Sequence, residues 1–511
     1  MTTILRPYQS IIVKEISKAY TQDNLLGVLM QAGTGLGKTR TAAYIVEKYA
    51  NTGRQVLWLV HREELLIQAA MTFAENGIKH RVICSASSER AIKVEEFKEL
   101  GRSFVDPTAH VIIASIQTII RRIDKLPWLN PAQIVADEAH LSVAKTWRVV
   151  IGKWPDARLL GLTATPSRTD KQSFRRDEGG LYDVMVQGPS QKEAIEMGAL
   201  SKYQLYAPPV HFKSGVKQKI KGGDYDPKTL EEEFDEPVIY GDVIDHYKKL
   251  SAGKPAIAFC PTVKVAKKFA QEFCNAGLRA MCLEGATDDH ERRDALKKLA
   301  RGELDVITNV SILIEGTDIP FATTAIWLRR TLSIIVYLQG TGRVLRPHPD
   351  KDHAIILDFV GVTQIHGFPD DEREWSLTGE VKRKRKKSDD DDMPDVHVQT
   401  CPKCFAIHKP ASECPRCGHV YTDKERKEMQ QVAGELVLKT PEEKEAERRH
   451  AEDIKRRERY DRMAEEKLCK TLEDWIALGR ERGYKFADAW AKHRFESRQA
   501  KQSQRSAAMD F

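Results

Sequence analysis

The chain has 511 residues, 41% of them hydrophobic and 30% charged, with a formal net charge of +7. At roughly 100 to 200 residues per domain this length implies about three units, and the balance is that of a soluble globular protein with unusually polar segments. The charge admits a polyanionic partner without requiring one, and no apolar run, VIIASIQTII from Val111 included, approaches the roughly 18 residues that cross a bilayer.

The opening MTTILRPYQS lacks the basic and apolar layout of a signal peptide, so a cytoplasmic location is expected. From about residue 25 to 200 the short runs LLGVLM, QVLWLV, HVIIAS, QIVADE and LLGLTAT alternate with amphipathic stretches. Continuous apolar runs of this length, spaced by helices, predict a parallel sheet covered on both faces. The first of them leads into QAGTGLGKT, where a helix pattern begins. Glycines there permit the dihedrals with which backbone amides from Gly33 through Thr34 and Gly35 to Gly37 wrap a β-phosphate. Lys38 is then a point charge for the β- and γ-phosphates of ATP, and Thr39 a ligand for Mg2+. Ala32 stands where the usual pattern has its first glycine, a departure of one methyl group. About 100 residues on, VADEAH places two carboxylates at the end of an apolar run. Asp137 suits the metal and Glu138 the attacking water.

After a looser charged stretch from Ser201 to Glu236, the runs AIAFC, LDVIT, TAIWLR and AIILDF predict a second sheet of the same kind. QGTGRVLRP follows the third of these runs, with Arg343 and Arg346 three residues apart in what reads as the first turns of a helix. Alone, such a pair is ordinarily a surface salt bridge. VKRKRKKSDDDDMPD from Val381 then switches from six basic residues to a block of aspartates and predicts a solvated linker.

Four of nine cysteines form CPKCFAIHKPASECPRCG: Cys401, Cys404, Cys414 and Cys417. Two C-x2-C turns aim four thiolates at one tetrahedral Zn2+, a closed and therefore structural site. Two disulfides are the alternative, disfavoured for an intracellular chain. His408 and His419 are not needed as ligands. Cys84, Cys260, Cys274, Cys282 and Cys469 are scattered and read as ordinary thiols. Beyond Pro441 the chain reads as an exposed, salt-bridged helix, then a small helical hairpin through Leu472, Trp475, Ile476 and Gly479.

With LRPYQ, AGTGLGKT, VLWLVHREEL, ASIQTI, VADEAH, LLGLTATPSR, AFCPTV, LIEGTDIP and QGTGRVLRP in that order, the first 365 or so residues resemble superfamily 2 helicases and translocases of the DEAH-box type. Within that group the chain is similar to RadD-like DNA-repair helicases, while its RGYKFADAWAKHRF ending resembles the tails of phage-borne helicases. The resemblance implies an α/β fold: two tandem RecA-like parallel-sheet domains, 1–200 and 201–368, a charged linker 369–398, a zinc ribbon 399–420 and a charged helical region 421–511. It implies that Gln9, with Arg6 beside it, reads the adenine edge, that Arg40 lies at the nucleotide, and that Gly316 and Asp318 sit at the domain interface. Gln339, Arg343 and Arg346 would complete the ATP site from the second domain. His140, Thr163 and Thr165 would couple that site to the bound strand, gripped by Arg62, Ser115, Gln117, Thr118, Thr262, Thr308 and Asn309. Each of these could equally be a strand-end cap.

The function so implied is an ATP-dependent DNA helicase or translocase using ATP, Mg2+ and Zn2+, working in repair, recombination or phage replication in the cytoplasm of a bacterial or phage-infected cell. Its partner would be single-stranded or forked DNA, with single-strand-binding protein as a second partner and no membrane, and the chain a monomer or weak oligomer. An RNA remodeller, a restriction-type motor subunit and an ATP-gated scaffold stay open as alternatives.

Overall fold

The computed structural model describes residues 5–167, 172–207, 219–221, 223–232, 234, 237–314, 319–379, 381–383, 398–421, 469–481, 491–492 and 495–496. Seven strands make the first sheet: β1 (Gly27–Gln31), β2 (Gln55–Val60), β3 (His80–Ile83), β4 (Val111–Ser115), β5 (Pro131–Asp137), β6 (Arg158–Thr163) and β7 (Val184–Gln187). All pair in parallel, in the order β3-β4-β2-β5-β6-β1-β7. Strand side chains alternate between faces, so Val28, Met30, Val56, Trp58 and Val60 enter the core on one side. Leu29, Leu57 and Leu59 enter the core on the other. That is why these runs are apolar without interruption.

The second sheet opens with β8 (Tyr203–Tyr206). A small antiparallel hairpin follows, β9 (Ile220–Lys221) with β10 (Asp224–Tyr225). The sheet continues with β11 (Ala256–Phe259), β12 (Ala280–Leu283), β13 (Val306–Asn309), β14 (Thr324–Trp327) and β15 (Ala354–Asp358), again all parallel, in the order β12-β13-β11-β14-β15-β8. Phe259 and Trp327 stack in its core with ring centroids 4.7 Å apart. In open sheets of this kind ligands collect beyond the carboxyl ends of the strands.

Past this sheet, β16 (Arg373–Trp375) and β17 (Val381–Arg383) pair antiparallel. The chain here reaches back to the first domain, where Phe174 N donates to Leu377 O at 2.7 Å. Part of the segment expected as linker is therefore ordered packing. Residues 384–397, with most of the charge switch, lie outside the described residues. A last hairpin, β18 (Gln399–Thr400) with β19 (Ile407–His408), belongs to the cysteine segment. Contacts divide the chain into residues 1–430 and 431–511. In the second unit, helix Leu472–Glu481 buries Trp475 with Cys469 and Ala491. No helix among the described residues is long and apolar enough to cross a membrane.

Candidate nucleotide, strand and metal sites

The phosphate loop leaves β1 with Gly35 at φ 88° and Gly37 at φ 71°, left-handed values that glycine adopts without strain. Helix Lys38–Ala50 begins directly after it. Ala32 N donates to Thr163 O at 3.1 Å, so the loop spans the ends of β1 and β6. The methyl of Ala32 is buried in an apolar cluster with Leu36, Ala194 and Leu200, which accommodates the departure from the usual glycine. Lys38 Nζ donates to Ala32 O at 3.2 Å. Burial lowers the Lys38 pKa, opposed by the charges of Glu138 and Asp137. Gln9 is buried against the loop, donating to Leu36 O and Gly37 O at 3.3 and 3.4 Å and accepting from Arg6 N at 2.9 Å. The Arg6 and Arg40 side chains are exposed, and Thr39 is half-buried.

Asp137 ends β5, and Glu138 follows in the left-handed region at φ 50°, ψ 57°. That conformation costs a non-glycine residue about 1 kcal/mol, and such strain gathers at functional sites. The two carboxyls are pushed apart. Burial, then the Glu138 charge, raises Asp137 to about 7. Burial acts upward on Glu138 too, but a bond to His140 and the neighbouring cations bring it down to about 2. His140 Nδ1 lies 3.4 Å from Glu138 Oε2. Thr163 Oγ1 accepts from Thr165 N at 3.2 Å, and the buried Thr165 hydroxyl has no partner among the described residues.

The second domain supplies the far wall through helix Ile334–Val344. Gln339 Nε2 donates to Glu138 Oε2 at 3.5 Å, and its buried Oε1 has no partner among the described residues. Arg343 bonds Ile314 O through Nε at 2.9 Å and Nη2 at 2.6 Å. A Cβ on Gly342 would lie 2.7 Å from Thr34 Cβ, and one on Gly35 would lie 3.1 Å from Arg346 Cγ. The arginine helix is thus seated on the phosphate loop. Gly316 and Asp318 lie outside the described residues. Buried polar atoms without partners cost about 1–3 kcal/mol each, so Gln339 Oε1 and the Thr165 hydroxyl fit a site completed by a polar ligand. With the loop, Lys38 and the paired carboxyls, the residues suit a nucleoside triphosphate and Mg2+.

Two residues that sequence reasoning missed hold this helix in place. Ser201 N donates to Leu345 O at 2.7 Å and its hydroxyl to Arg346 O at 3.3 Å. The buried Lys351 ammonium bonds Val344 O at 3.0 Å and Arg346 O at 2.8 Å. Cations suit helix carboxyl ends, and a lysine five residues past Arg346 was the one available signal.

The strand candidates divide into two kinds. Arg62 precedes helix Glu63–Glu75 at the end of β2, and Ser115 ends the neighbouring β4. Ser115 Oγ accepts from Thr118 N at 3.3 Å, and Gln117 Nε2 donates to His61 O at 2.6 Å from an exposed position. Thr262 caps helix Val263–Asn275 at the end of β11. Thr308 and Asn309 are instead fully buried and bond the backbone of Ala266 and Ala258. Glu64 and Arg292 form an ion pair across the two domains on this side.

In the cysteine segment all four Sγ atoms lie within 4.8 Å of one another, the described group that could hold a metal ion. Cys401 and Cys417 are 3.6 Å apart, Cys404 and Cys414 3.8 Å. A tetrahedron with Zn–S near 2.3 Å has edges of about 3.8 Å, so the donor set fits zinc, and all four thiols are free. The knuckles match: Phe405 N donates to Cys401 O at 2.8 Å and Gly418 N to Cys414 O at 3.0 Å, with Phe405 and Gly418 both at positive φ. His408 bonds the Tyr421 hydroxyl at 2.7 Å rather than the cysteines.

Residues 2–168 match the family model described as type III restriction enzyme, res subunit, and residues 240–348 match helicase conserved C-terminal domain. The chain is similar to the 51.5 kDa protein of a Lactococcus phage (isolate 7-9), 29% identical over 414 residues that cover 80% of this chain and 82% of that one. It is 26% identical over 383 residues to a Saccharomyces cerevisiae protein provisionally named ATP-dependent helicase IRC3, covering 71% of this chain and 52% of the yeast protein. The chain thus spans about half the length of that relative. A Vibrio vulnificus YJ016 structure, provisionally assigned as an HsdR fragment of a type I restriction enzyme, superposes with a TM-score of 0.55 at 21% identity over 74% of this chain and 70% of that one, a likeness of fold.

Proposed function

We propose that this chain, a superfamily 2 helicase by its two motor domains, is a DNA-stimulated ATPase that steps along DNA as its domains close and reopen. The observation that carries this reading is the arginine helix resting on the phosphate loop, with Gln339 reaching Glu138 from the other domain. In the closed arrangement Lys38 and the loop amides would hold the β- and γ-phosphates, and Thr39 and Asp137 would hold Mg2+, which would neutralise phosphate charge. Glu138 accepts the proton of the attacking water. Arg343 and Arg346 stabilise charge on the transferring phosphoryl group, and hydrolysis removes what they grip.

DNA is favoured over RNA because the first-domain match is to a restriction enzyme subunit and an Escherichia coli K12 type I restriction subunit also aligns, at 22% identity. The DEAH-box, RadD-like repair group is the finer placement we favour, on VADEAH and the four-cysteine segment. Cytoplasmic action in a bacterial or phage-infected cell, domain boundaries near residues 200 and 368, and single-strand-binding protein as a partner belong to the same proposal. For the strand path we retain Arg62, Ser115, Gln117, Thr118 and Thr262. We assign zinc to the four cysteines.

ATPase assays with single-stranded DNA, duplex DNA and RNA, with Lys38→Ala and Glu138→Gln as inactive controls, test the reading. Stimulation by RNA alone would refute it. The restriction-type matches favour movement on duplex as a second form of motor. Triplex displacement without strand separation would select that form.

A further inference from the structure

We propose that the four-cysteine ribbon is a metal-dependent clasp on the edge of the second sheet, and that through this edge it positions the end of the helix bearing Arg343 and the turn after it that carries Arg346. The proposal rests on the zinc and ATPase readings above.

An edge strand presents unpaired backbone groups that a protein must cover. β8 is such an edge, bonded on one side to β15. Its other side meets the ribbon. Ala207 N donates to Phe405 O at 3.0 Å, and Tyr206 bridges antiparallel to Ala406. The Arg416 guanidinium lies over the Tyr206 ring, 4.6 Å from its centroid, and bonds Gln204. The Phe405 ring meets His246 edge-on at 5.5 Å, and Ala406 and Ile407 are part of the second-domain core.

The two contacts come from different knuckles. Phe405 follows Cys404 in the first pair, while Arg416 lies between Cys414 and Cys417 of the second. Both can hold β8 together only when both pairs converge on one ion. At its other end β8 is preceded by Ser201, whose amide and hydroxyl bond the carbonyls of Leu345 and Arg346. One short strand therefore joins the ribbon to the turn that ends the arginine helix. Losing the ion releases the outer side of β8, and the restraint on Arg346 loosens with it.

The experiment uses the full chain. Zinc per chain is measured by mass spectrometry. Hydrogen exchange and steady-state ATPase are then compared between loaded protein, chelator-stripped protein and a Phe405→Gly/Arg416→Ala variant that keeps all four cysteines. We expect one zinc per chain. On stripping, exchange at residues 203–207 should accelerate by about tenfold or more and at the Ser201 amide, which bonds Leu345 O, by several-fold, with β11 and β13 unchanged. kcat for ATP should fall with KM little altered, and zinc should restore both. The double variant should keep its zinc and show part of the acceleration at 203–207, because it removes the side-chain contacts and leaves the backbone bonds to residues 405 and 406; wild-type exchange there would overturn the side-chain half of the clasp. Bound zinc whose removal leaves 203–207 unchanged overturns the clasp and leaves the zinc and ATPase readings standing. Uniform acceleration across the second sheet overturns the positioning role. A chain that neither carries nor takes up zinc overturns the metal site and the clasp with it.

Discussion

Gly342→Ala tests whether the seating of the arginine helix on the phosphate loop is the working arrangement. Alanine is the better helix former by about 1 kcal/mol, so local propensity alone predicts a slightly more stable chain. The new methyl would sit 2.7 Å from Thr34 Cβ and 3.1 Å from Thr34 Cγ2. Thr34 Cβ is fixed to the loop backbone, so turning the side chain does not clear it, and loop or helix must retreat. Overpacking of this kind costs about 1–3 kcal/mol. The clashing atoms belong to different domains, so the cost falls on the closed arrangement and spares the fold of each domain. If hydrolysis requires closure, kcat falls about 5- to 150-fold, at 1.36 kcal/mol per tenfold. Gly340→Ala is the control, because its Cβ would lie 2.8 Å from Trp327 Cη2, wholly inside the second domain. Saturating-DNA ATPase and calorimetric melting separate the two. Gly342→Ala should lose activity at nearly unchanged Tm, and Gly340→Ala should lose Tm. Full activity in Gly342→Ala would refute the reasoning, as would a loss of activity matched by an equal loss of Tm.

Lys351→Met should lower kcat several-fold with little change in KM for ATP, because two carbonyls at the end of the arginine helix lose their donor. It also carries a pH signature. Burial, aided by Arg346, lowers Lys351 to about 8, so between about 8 and the unfolded value near 10.4 the unfolded chain binds more protons and stability rises with pH. Melting of wild type relative to Lys351→Met should gain across that window, and a flat difference would contradict the assignment. Asn309→Ala should lower Tm by leaving Ala258 O and Leu313 N without their buried partners, at about 1–3 kcal/mol, with the DNA concentration for half-stimulation unchanged. Gln117→Ala should do the reverse, and DNA-titrated ATPase with melting distinguishes them.

What the sequence makes legible here follows from burial. The strands readable as apolar runs, β1, β2, β4, β5, β6, β11, β13, β14 and β15, are the interior strands of both sheets. Those that escape reading, β3, β7, β8 and β12, are the four sheet edges, and each is partly exposed. An edge needs only one well-covered side, so its composition carries a weak signal. The near wall of the ATP site was legible for a related reason: phosphate chemistry demands glycines and a lysine in local order, from Gly33 to Thr39. Ser201, Gly342 and Lys351 were not, because their roles lie in tertiary pairings. Serine meeting a carbonyl 145 positions away leaves no local pattern. Thr308 and Asn309 show the ambiguity of such a pattern, since polar residues at a strand end read as strand contacts from sequence and here also bond the sheet's own backbone.

The domains also meet away from the nucleotide, through Glu64 and Arg292. Glu64 lies two residues past Arg62, in the first turn of helix Glu63–Glu75 that follows β2. In the first sheet β2 stands between β4, which carries Ser115, and β5, which ends in Asp137. The Leu59–Ala136 and Val60–Ser115 pairings leave one strand between the carboxylates and the turn that carries Arg62. A cross-domain ion pair beside that turn is therefore placed to register closure next to the proposed strand path. Glu64→Arg alone brings two cations together and should reduce DNA-stimulated ATPase, while basal hydrolysis changes little. Adding Arg292→Glu rebuilds the pair with its charges exchanged and should recover much of the stimulation. Double-mutant cycles of close pairs with shared partners show coupling of about 0.5–3 kcal/mol. Additive losses in the double variant would mean that the pair only decorates the interface, and that strand and nucleotide communicate through the β2 turn alone.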